Sequence, residues 1–300
     1  MRQLQHSSGD PIADRRASYA EALAAEGAFA EAAEVLTQTM ELVPGWAAGW
    51  ANLGRYREEL GDIEGAIAAW RRSAELDSMG IYGAALKLVA HGVASQADRG
   101  LYVEALFDDY AGRFERSLVD RLDYRAPREL MEMIAGAGLE AGGTAYDLGC
   151  GTGLMGRELR STVRRLEGVD LSEAMLAEAR RKGIYDKLVK ADLTEFLGQA
   201  EPAELITATD VLNYVGPLSP VLSAVHDRLV AGGLFAFSLE LHDGFEPVKL
   251  RTSLRYAHNG AAAQVACLAA GFEVVAKRET VLRRDRGAPV MGLLLVVRRG

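Results

Sequence analysis

The sequence has few cysteines and no clustered metal ligands. Cys150 and Cys267 are the only two cysteines among 300 residues, which excludes a disulfide scaffold and a four-cysteine zinc site. The five histidines are scattered, and none has the spacing that places two ligands on one helix face. A bound metal is therefore not predicted, and nothing contradicts a reducing compartment.

The sequence also lacks an excess of basic residues and long hydrophobic runs. Its 34 lysines and arginines face 42 aspartates and glutamates, and the formal net charge of -8 argues against binding to a nucleic-acid backbone. The N-terminal stretch has no apolar signal-peptide core, and no run approaches the length of a membrane span. We therefore expect a cytoplasmic protein with neither nucleic acid nor membrane as a partner.

The first third of the chain does contain an internal repeat. Gly27 matches Gly61 and Ala20 matches Gly54, each pair being 34 positions apart, which is the period of a tetratricopeptide repeat (TPR). The small residues allow antiparallel helices to approach closely, and the two glycines at Gly27 and Gly61 fall in turns. Two repeats are fewer than the ~3 that a solenoid usually needs. A peptide-binding groove is one interpretation, but we favour a helical brace or a surface for self-association.

The remaining pattern predicts three segments. We expect a polar arm over residues 1–16, TPR-like helices with a capping helix over 17–98, and an α/β domain over 99–300. Lid helices occupy the start of that domain, to about residue 138. Short apolar runs then alternate with helical ones, which is typical of βαβ units and a parallel sheet. The last two strand candidates are joined by a short charged turn and must pair antiparallel.

A glycine-rich loop follows the first strand candidate of the α/β domain. Gly151, Gly153 and Gly156 spell G-x-G-x-x-G, and Asp170 ends the next strand candidate, a pattern that also occurs in dinucleotide-binding folds. Asp147 distinguishes the two possibilities. Beside a pyrophosphate this acid would be repelled by about 4 kcal/mol, for charges about 4 Å apart at an effective dielectric constant of about 20. It would instead attract the ammonium and sulfonium of S-adenosylmethionine.

The motifs around these acids resemble those of class I S-adenosylmethionine-dependent methyltransferases, over about residues 101–300. The heptapeptide DLGCGTG, which starts at Asp147, is similar to motif I of that family. GVDLSEAML around Asp170 and KADL around Asp192 resemble the second and third motifs, and TDVLNYV resembles the segment after the fourth strand. With the repeats in front, the chain resembles a group of bacterial predicted methyltransferases that carry N-terminal TPRs.

The resemblance implies both a fold and a cofactor. The expected fold is a Rossmann-like, seven-stranded methyltransferase sheet with a terminal antiparallel hairpin, preceded by an all-α array of TPR hairpins. The expected cofactor is S-adenosyl-L-methionine, with Asp170 on the ribose hydroxyls and Asp192 on the adenine amino group. The residues expected at the cofactor are Asp147, Gly149, Cys150, Gly151, Gly153, Asp170, Leu171, Met175, Asp192, Leu193 and Asp210.

The sequence says less about the residues that bind the methyl acceptor. Methyl transfer is limited mainly by alignment, although a hydroxyl acceptor benefits from a base. The catalytic candidates are His258, Tyr110 and Tyr214, with His258 the first choice for a base. We expect a small-molecule acceptor, methylated on O, N or C, because no basic groove and no long repeat array is present to hold a macromolecule. Asp108 and Asp109 would favour a cationic acceptor if they face the cavity.

Two other functions compete with methyl transfer. A non-catalytic interaction protein is the main alternative, in which the repeats bind a partner and the sheet domain binds S-adenosylmethionine or its product without turnover. A nicotinamide-dependent reductase is disfavoured by Asp147 and by the terminal hairpin. Competition between NADH and S-adenosylhomocysteine for one site would separate the reductase from the methyltransferase.

Overall fold

The structure is a computed structural model that describes residues 7–94, 100–111, 124–285 and 288–300. The chain divides into two compact units, Met1–Leu106 with Thr252–Leu254, and Phe107–Arg251 with Arg255–Gly300. The division falls inside a helix, several residues after the boundary predicted near residue 98. Within the described ranges, no helix combines the length and apolar character that crossing a membrane requires.

The first unit is built from helices joined by short turns. Its helices are α1 (Pro11–Ala25), α2 (Phe29–Leu42), α3 (Ala47–Glu59), α4 (Ile63–Leu76) and α5 (Ala84–Ala90), and α6 (Gly100–Tyr110) runs into the second unit. The helix α1 begins inside the segment predicted to be a polar arm. Its start is fixed by the Asp10 carboxylate, which accepts hydrogen bonds from the N–H groups of Ile12 and Ala13.

The two helical hairpins repeat the same local geometry. Gly27 and Gly61 adopt φ of 85° and 78° in the turns, a conformation that favours glycine. Gly54 lies in α3 where a Cβ atom would be 2.3 Å from Nε1 of Trp70, so only glycine allows α3 and α4 to pack at this distance. Close approach at small residues is the feature that the 34-residue spacing predicted.

The second unit is a mixed sheet with helices on both faces. Its strands are β1 (Thr144–Leu148), β2 (Arg165–Asp170), β3 (Lys187–Lys190), β4 (Ala203–Ala208), β5 (Leu229–Leu241), β6 (Val248–Leu250), β7 (Tyr256–His258), β8 (Phe272–Asp285) and β9 (Ala288–Arg299). Its helices are α7 (Ala126–Gly136), α8 (Leu154–Leu159), α9 (Glu173–Lys182), α10 (Leu193–Gln199), α11 (Ser219–Arg228) and α12 (Gly260–Ala269). A 3-10 turn spans Leu212–Tyr214.

The strand order confirms the predicted parallel sheet and its antiparallel end. Strands β3, β2, β1, β4 and β5 are parallel neighbours, β9 runs antiparallel to β5, and β8 pairs with β9. The prediction of seven strands is wrong, because the described residues form a sheet of nine. The long strand β5 extends past its pairing with β4, which ends at Phe237, and Glu240 and Leu241 pair there with β7 of the short hairpin β6–β7. Each strand of that hairpin has three residues, too few for a recognisable alternation.

Alternation along the strands gives the sheet two different faces. On one face Tyr146, Leu148, Phe235 and Phe237 belong to the larger apolar core. On the other face Ala145, Leu205 and Ala236 pack against residues of α7 and α8. Because side chains alternate, this second face continues toward the carboxyl ends of the strands with Asp147, Thr207, Ser238 and Glu240. The second face therefore changes from apolar to polar at the edge where ligands bind in open α/β sheets.

Candidate functional site

Asp147 lies at the end of β1 with its carboxylate fully enclosed. Only 1% of the residue is exposed. The Tyr185 hydroxyl donates to its Oδ2 at 2.7 Å, and the Thr207 hydroxyl donates to Oδ1 at 3.0 Å. Burial raises the pKa of Asp147 to about 6, although these two hydrogen bonds oppose the shift. The site therefore holds an anion whose charge no cationic side chain contacts within the described residues.

Tyr185 is a site residue that the sequence did not reveal. Its ring occupies a slot between glycines, where an added Cβ would lie 2.2 Å from the Tyr185 hydroxyl at Gly156 and 2.9 Å from ring carbon Cε1 at Gly168. Gly153 forms a third wall, with its Cβ position 3.0 Å from ring carbon Cε2. Gly156, the last glycine of G-x-G-x-x-G, thus makes room for the phenol that orients Asp147.

The loop after β1 closes onto Asp170 at the end of β2. The Gly151 N–H donates to Oδ2 of Asp170 at 2.8 Å, and the Ser172 N–H donates to Oδ1 at 2.9 Å. Burial raises the pKa of Asp170 to about 6, against the effect of these backbone donors. Gly149 has a φ of 62°, and a Cβ there would lie 2.2 Å from Cγ2 of Val211. The fold thus brings together Asp147, Asp170 and the glycines predicted to hold a cofactor.

The start of α9 is engaged by Asp108 of α6. Ser172 caps this helix by accepting from the Met175 N–H at 3.1 Å, and its hydroxyl donates to Oδ1 of Asp108 at 2.5 Å. The Ala174 N–H also donates to Asp108, at 3.2 Å. Asp108 is thus used to fix the start of a helix, and it does not support the expectation of a cationic acceptor. Met175 is fully buried, whereas Leu171 is only partly covered.

The remaining cofactor candidates lie near the same strand ends. Asp192 caps α10 by accepting from the Thr194 N–H at 2.8 Å, and its predicted role toward adenine stays a prediction. Leu193 follows it and packs against the larger core. Cys150 is buried in the glycine loop, and burial raises the pKa of its thiol well above the usual value, so the thiol is unreactive.

Asp210, after β4, adopts a conformation that is rare for a residue with a side chain. Its φ is 58°, and its N–H donates to the Ser238 hydroxyl oxygen at 2.7 Å. Its Oδ1 lies 3.0 Å from Nη1 of Arg283 and 3.3 Å from Nδ2 of Asn213. Arg283 comes from β8, and the sequence reasoning did not identify it because it is 73 residues from Asp210.

The three catalytic candidates lie in different environments. Tyr214 accepts a hydrogen bond from Nε of Arg255 at 2.9 Å, and burial raises the pKa of its phenol. His258 is buried in β7 with Nε2 at 3.0 Å from the Gly216 carbonyl oxygen, so Nε2 must carry the proton in this bond. Tyr110 ends α6, and its side chain lies outside the described residues.

Part of the second unit is similar to known methyltransferases. Residues 145–233 match the family model described as "Methyltransferase domain". The chain is 32% identical over 162 residues to a carboxy-S-adenosyl-L-methionine synthase of Sulfurimonas denitrificans, covering 51% of this chain and 65% of that protein. It is 30% identical over 126 residues to a trans-aconitate 2-methyltransferase of Paracidovorax citrulli, covering 41% of this chain and 48% of that protein. The chain thus spans less than two thirds of the length of either relative.

Solved structures show the same fold. The magnesium protoporphyrin IX methyltransferase of Synechocystis PCC 6803, solved with bound S-adenosylhomocysteine (SAH), is 18% identical, with a TM-score of 0.54 over 68% of this chain and 100% of that one. The predicted Rossmann-like methyltransferase fold with its C-terminal antiparallel hairpin is therefore confirmed.

Proposed function

We propose that this protein is an S-adenosylmethionine-dependent methyltransferase that methylates an O, N or C atom of a small molecule. The observation that carries this proposal is the pair of acids, buried Asp147 and partly buried Asp170, beside a loop whose Gly149 leaves no room for a side chain. Each carboxylate has a pKa raised to about 6, so it is largely ionised at neutral pH, but burial makes its charge costly until a cationic or hydrogen-bonding partner binds. A ligand that combines a cation with hydroxyl groups would supply that partner.

The residues of this chain would bind and align the reactants. S-adenosylmethionine, when bound, supplies a methyl group attached to a positively charged sulfur. Asp147 is held by two hydroxyl donors and would face the positive charge, whereas Asp170 would accept from ribose hydroxyls. For a hydroxyl acceptor, His258 is our candidate base, because the bond from Nε2 to Gly216 makes Nδ1 the basic nitrogen of the neutral ring. Tyr110 and Tyr214 remain candidates for the acceptor side.

Calorimetric titration tests the proposal. We expect micromolar binding of S-adenosylmethionine and SAH, no competition from NADH, and loss of binding in Asp170→Ala, which removes both the ribose acceptor and the carboxylate that holds the loop. The Asp192→Ala variant is the comparison and should weaken binding less than Asp170→Ala, because the Asp192 carboxylate is exposed and caps α10. Absence of binding by both sulfur ligands would overturn the proposed function.

For the helical unit we propose a TPR-type array that acts as a brace or a self-association surface. The support is the pair of turn glycines with positive φ, Gly27 and Gly61, in corresponding turns of two hairpins. A non-catalytic adaptor is the alternative, and it predicts cofactor binding without methyl transfer to any acceptor. The cytoplasmic location stays a prediction.

A further inference from the structure

The polar edge of the sheet ends in a cluster of arginines. Glu240, at the end of β5, is 2% exposed and forms an ion pair with Arg283, which also contacts Asp210 at 3.0 Å. Arg251 and Arg255 approach the same carboxylate, with nitrogen-to-oxygen distances of 3.6 Å and 3.7 Å. We call these three residues, Arg251, Arg255 and Arg283, the arginine cluster.

The cluster carries more positive charge than its partners neutralise. Burial alone would raise the pKa of Glu240, but Arg283 and Arg255 lower it, so the glutamate is ionised. Arginine keeps its charge at any pH that proteins tolerate. Among the described residues, three guanidinium groups therefore face two carboxylates, those of Asp210 and Glu240, which leaves one positive charge over.

Arg255 is the member whose terminal nitrogens remain available. Its Nε donates to the Tyr214 hydroxyl at 2.9 Å, and its guanidinium lies 5.5 Å from the centre of that ring. The described part of the chain provides no hydrogen-bond acceptor for its terminal nitrogens, because Glu240 is 3.7 Å away. The side chain is 23% exposed, so a ligand can reach it. Tyr214 thus fixes a guanidinium fork of the kind that matches a planar anion.

Arg251 and Arg283 have different positions in the cluster. Arg283 is 5% exposed and uses its terminal nitrogens on Asp210 and Glu240, so it serves to hold those two carboxylates. Arg251 is 37% exposed and donates through Nη2 to the Leu241 carbonyl at 2.5 Å. Its remaining nitrogens are within reach of solvent beside Arg255.

The arginine cluster belongs to the same site as the cofactor acids. Asp147 and Glu240 lie on one face of the sheet, at the carboxyl ends of β1 and β5. The Tyr124 phenol links the two groups. Burial raises its pKa, and the charges of Asp147 and of the arginine cluster members Arg255 and Arg283 also affect that pKa. The site is therefore acidic at the end proposed for a cationic cofactor and basic at the other end.

We propose that the methyl acceptor is a carboxylate-bearing small molecule, and that Arg255, assisted by Arg251, binds its carboxylate. This proposal rests on the proposed function, because it assigns the second substrate of that same site. The flat guanidinium fork of Arg255 matches a planar carboxylate more closely than a tetrahedral phosphate. Both anions suit a guanidinium fork, so the test must separate them.

The test compares malonate with malonamide, two molecules of similar shape of which only the first is charged. The full-length protein is saturated with SAH, and each compound is titrated at constant ionic strength by NMR or thermal shift. We expect malonate to bind at least tenfold more tightly than malonamide and more tightly than inorganic phosphate. We expect Arg255→Gln to weaken malonate binding at least tenfold and Arg255→Lys to weaken it less, since lysine keeps the charge but not the fork.

Controls separate this proposal from a folding defect and from the proposed function. Arg128→Gln removes an arginine whose side chain is 80% exposed in α7, and malonate binding should not change. SAH affinity in Arg255→Gln should stay within twofold of the parent and so report an intact fold. Equal binding of malonate and malonamide, preference for phosphate, or an Arg255→Gln variant with unchanged binding would overturn the acceptor class alone. Failure of the parent protein to bind SAH would overturn the proposed function as well.

Discussion

Asp147 and Asp170 would each have to be ionised to hold a cationic ligand. Their pKa values of about 6 mean that protons occupy both carboxylates increasingly as the pH falls below 6. Ligand binding favours the charged forms, so it must displace those protons at low pH. We expect S-adenosylmethionine affinity to be full above about pH 7 and to fall about tenfold between pH 7.5 and 5.5.

The measurement is calorimetric titration across this pH range in buffers of different ionisation enthalpy, which counts the protons released on binding. Asp147→Asn serves as the comparison, because it removes one of the two titrating groups while its amide oxygen can still accept from either Tyr185 or Thr207. Its affinity should be lower at pH 7.5 and its pH dependence shallower. An affinity that is constant from pH 7.5 to 5.5 would show that these carboxylates do not contact the cation.

Tyr185 is expected to act on the ligand only through Asp147. Tyr185→Phe removes the hydroxyl that donates to Asp147 at 2.7 Å, and the glycine slot still accommodates the ring. Loss of a hydrogen bond to a charged group corresponds to about tenfold weaker S-adenosylmethionine binding. Because that bond lowers the pKa of Asp147, its loss should also move the midpoint of the pH dependence upward.

The upward midpoint distinguishes positioning of Asp147 from a general loosening of the fold. Tyr19→Phe is the matched control, since Tyr19 is 59% exposed in α1. It should change neither the affinity nor the midpoint. A Tyr185→Phe variant with weaker binding but an unmoved midpoint would contradict the proposed role.

At the scale of elements, the packing of α3 on α4 depends on the absence of one side chain. A Cβ at Gly54 would lie 2.3 Å from Nε1 of Trp70, a ring that is 1% exposed. Gly54→Ala should therefore lower the free energy of unfolding of the helical unit by about 1–3 kcal/mol, despite the better helix propensity of alanine. Gly45→Ala is the control, because nothing lies within 4 Å of its added Cβ.

Tryptophan fluorescence during urea unfolding measures this effect directly. The three tryptophans, Trp46, Trp50 and Trp70, all belong to the unit Met1–Leu106, so the signal reports that unit. The midpoint should fall in Gly54→Ala and stay unchanged in Gly45→Ala. Equal midpoints in both variants would mean that Trp70 can move aside at no measurable cost.

The elements that the sequence predicts are those with local patterns. Apolar runs alternate with helices through β1 to β5. Asp147 and Asp170 lie at strand ends beside a glycine loop, so the pattern that predicts the cofactor site lies within one short stretch of the chain. Tyr185 and Arg283 were not predictable in this way. Their partners lie 38 and 73 residues away, and only the strand order of the folded sheet brings them together. The hairpin β6–β7 was missed because its strands are too short to show a period.

At the scale of the whole molecule, net charge does not describe the site. The chain carries a formal charge of -8, yet within the described part of the chain the arginine cluster has a surplus of positive charge beside Glu240. The overall balance argued against a nucleic-acid partner, and it is equally consistent with a small anionic acceptor bound at one arginine-rich position. Salt screens charges that are more than about 8–10 Å apart in physiological buffer, so the charge that acts on a ligand is the charge within that distance.

Ligand binding should stabilise the α/β unit by mass action. At an SAH concentration of about 100 times its dissociation constant the gain is about 2.7 kcal/mol. For a unit of this size, each kcal/mol raises the transition temperature by about 2–4 °C, so we expect an increase of about 5–10 °C. Differential scanning calorimetry is the suitable measurement, because tryptophan fluorescence reports the helical unit, which contains all three tryptophans. Asp170→Ala should show no increase at the same SAH concentration, and a full increase in that variant would mean that SAH binds elsewhere than at the carboxyl ends of β1 and β2.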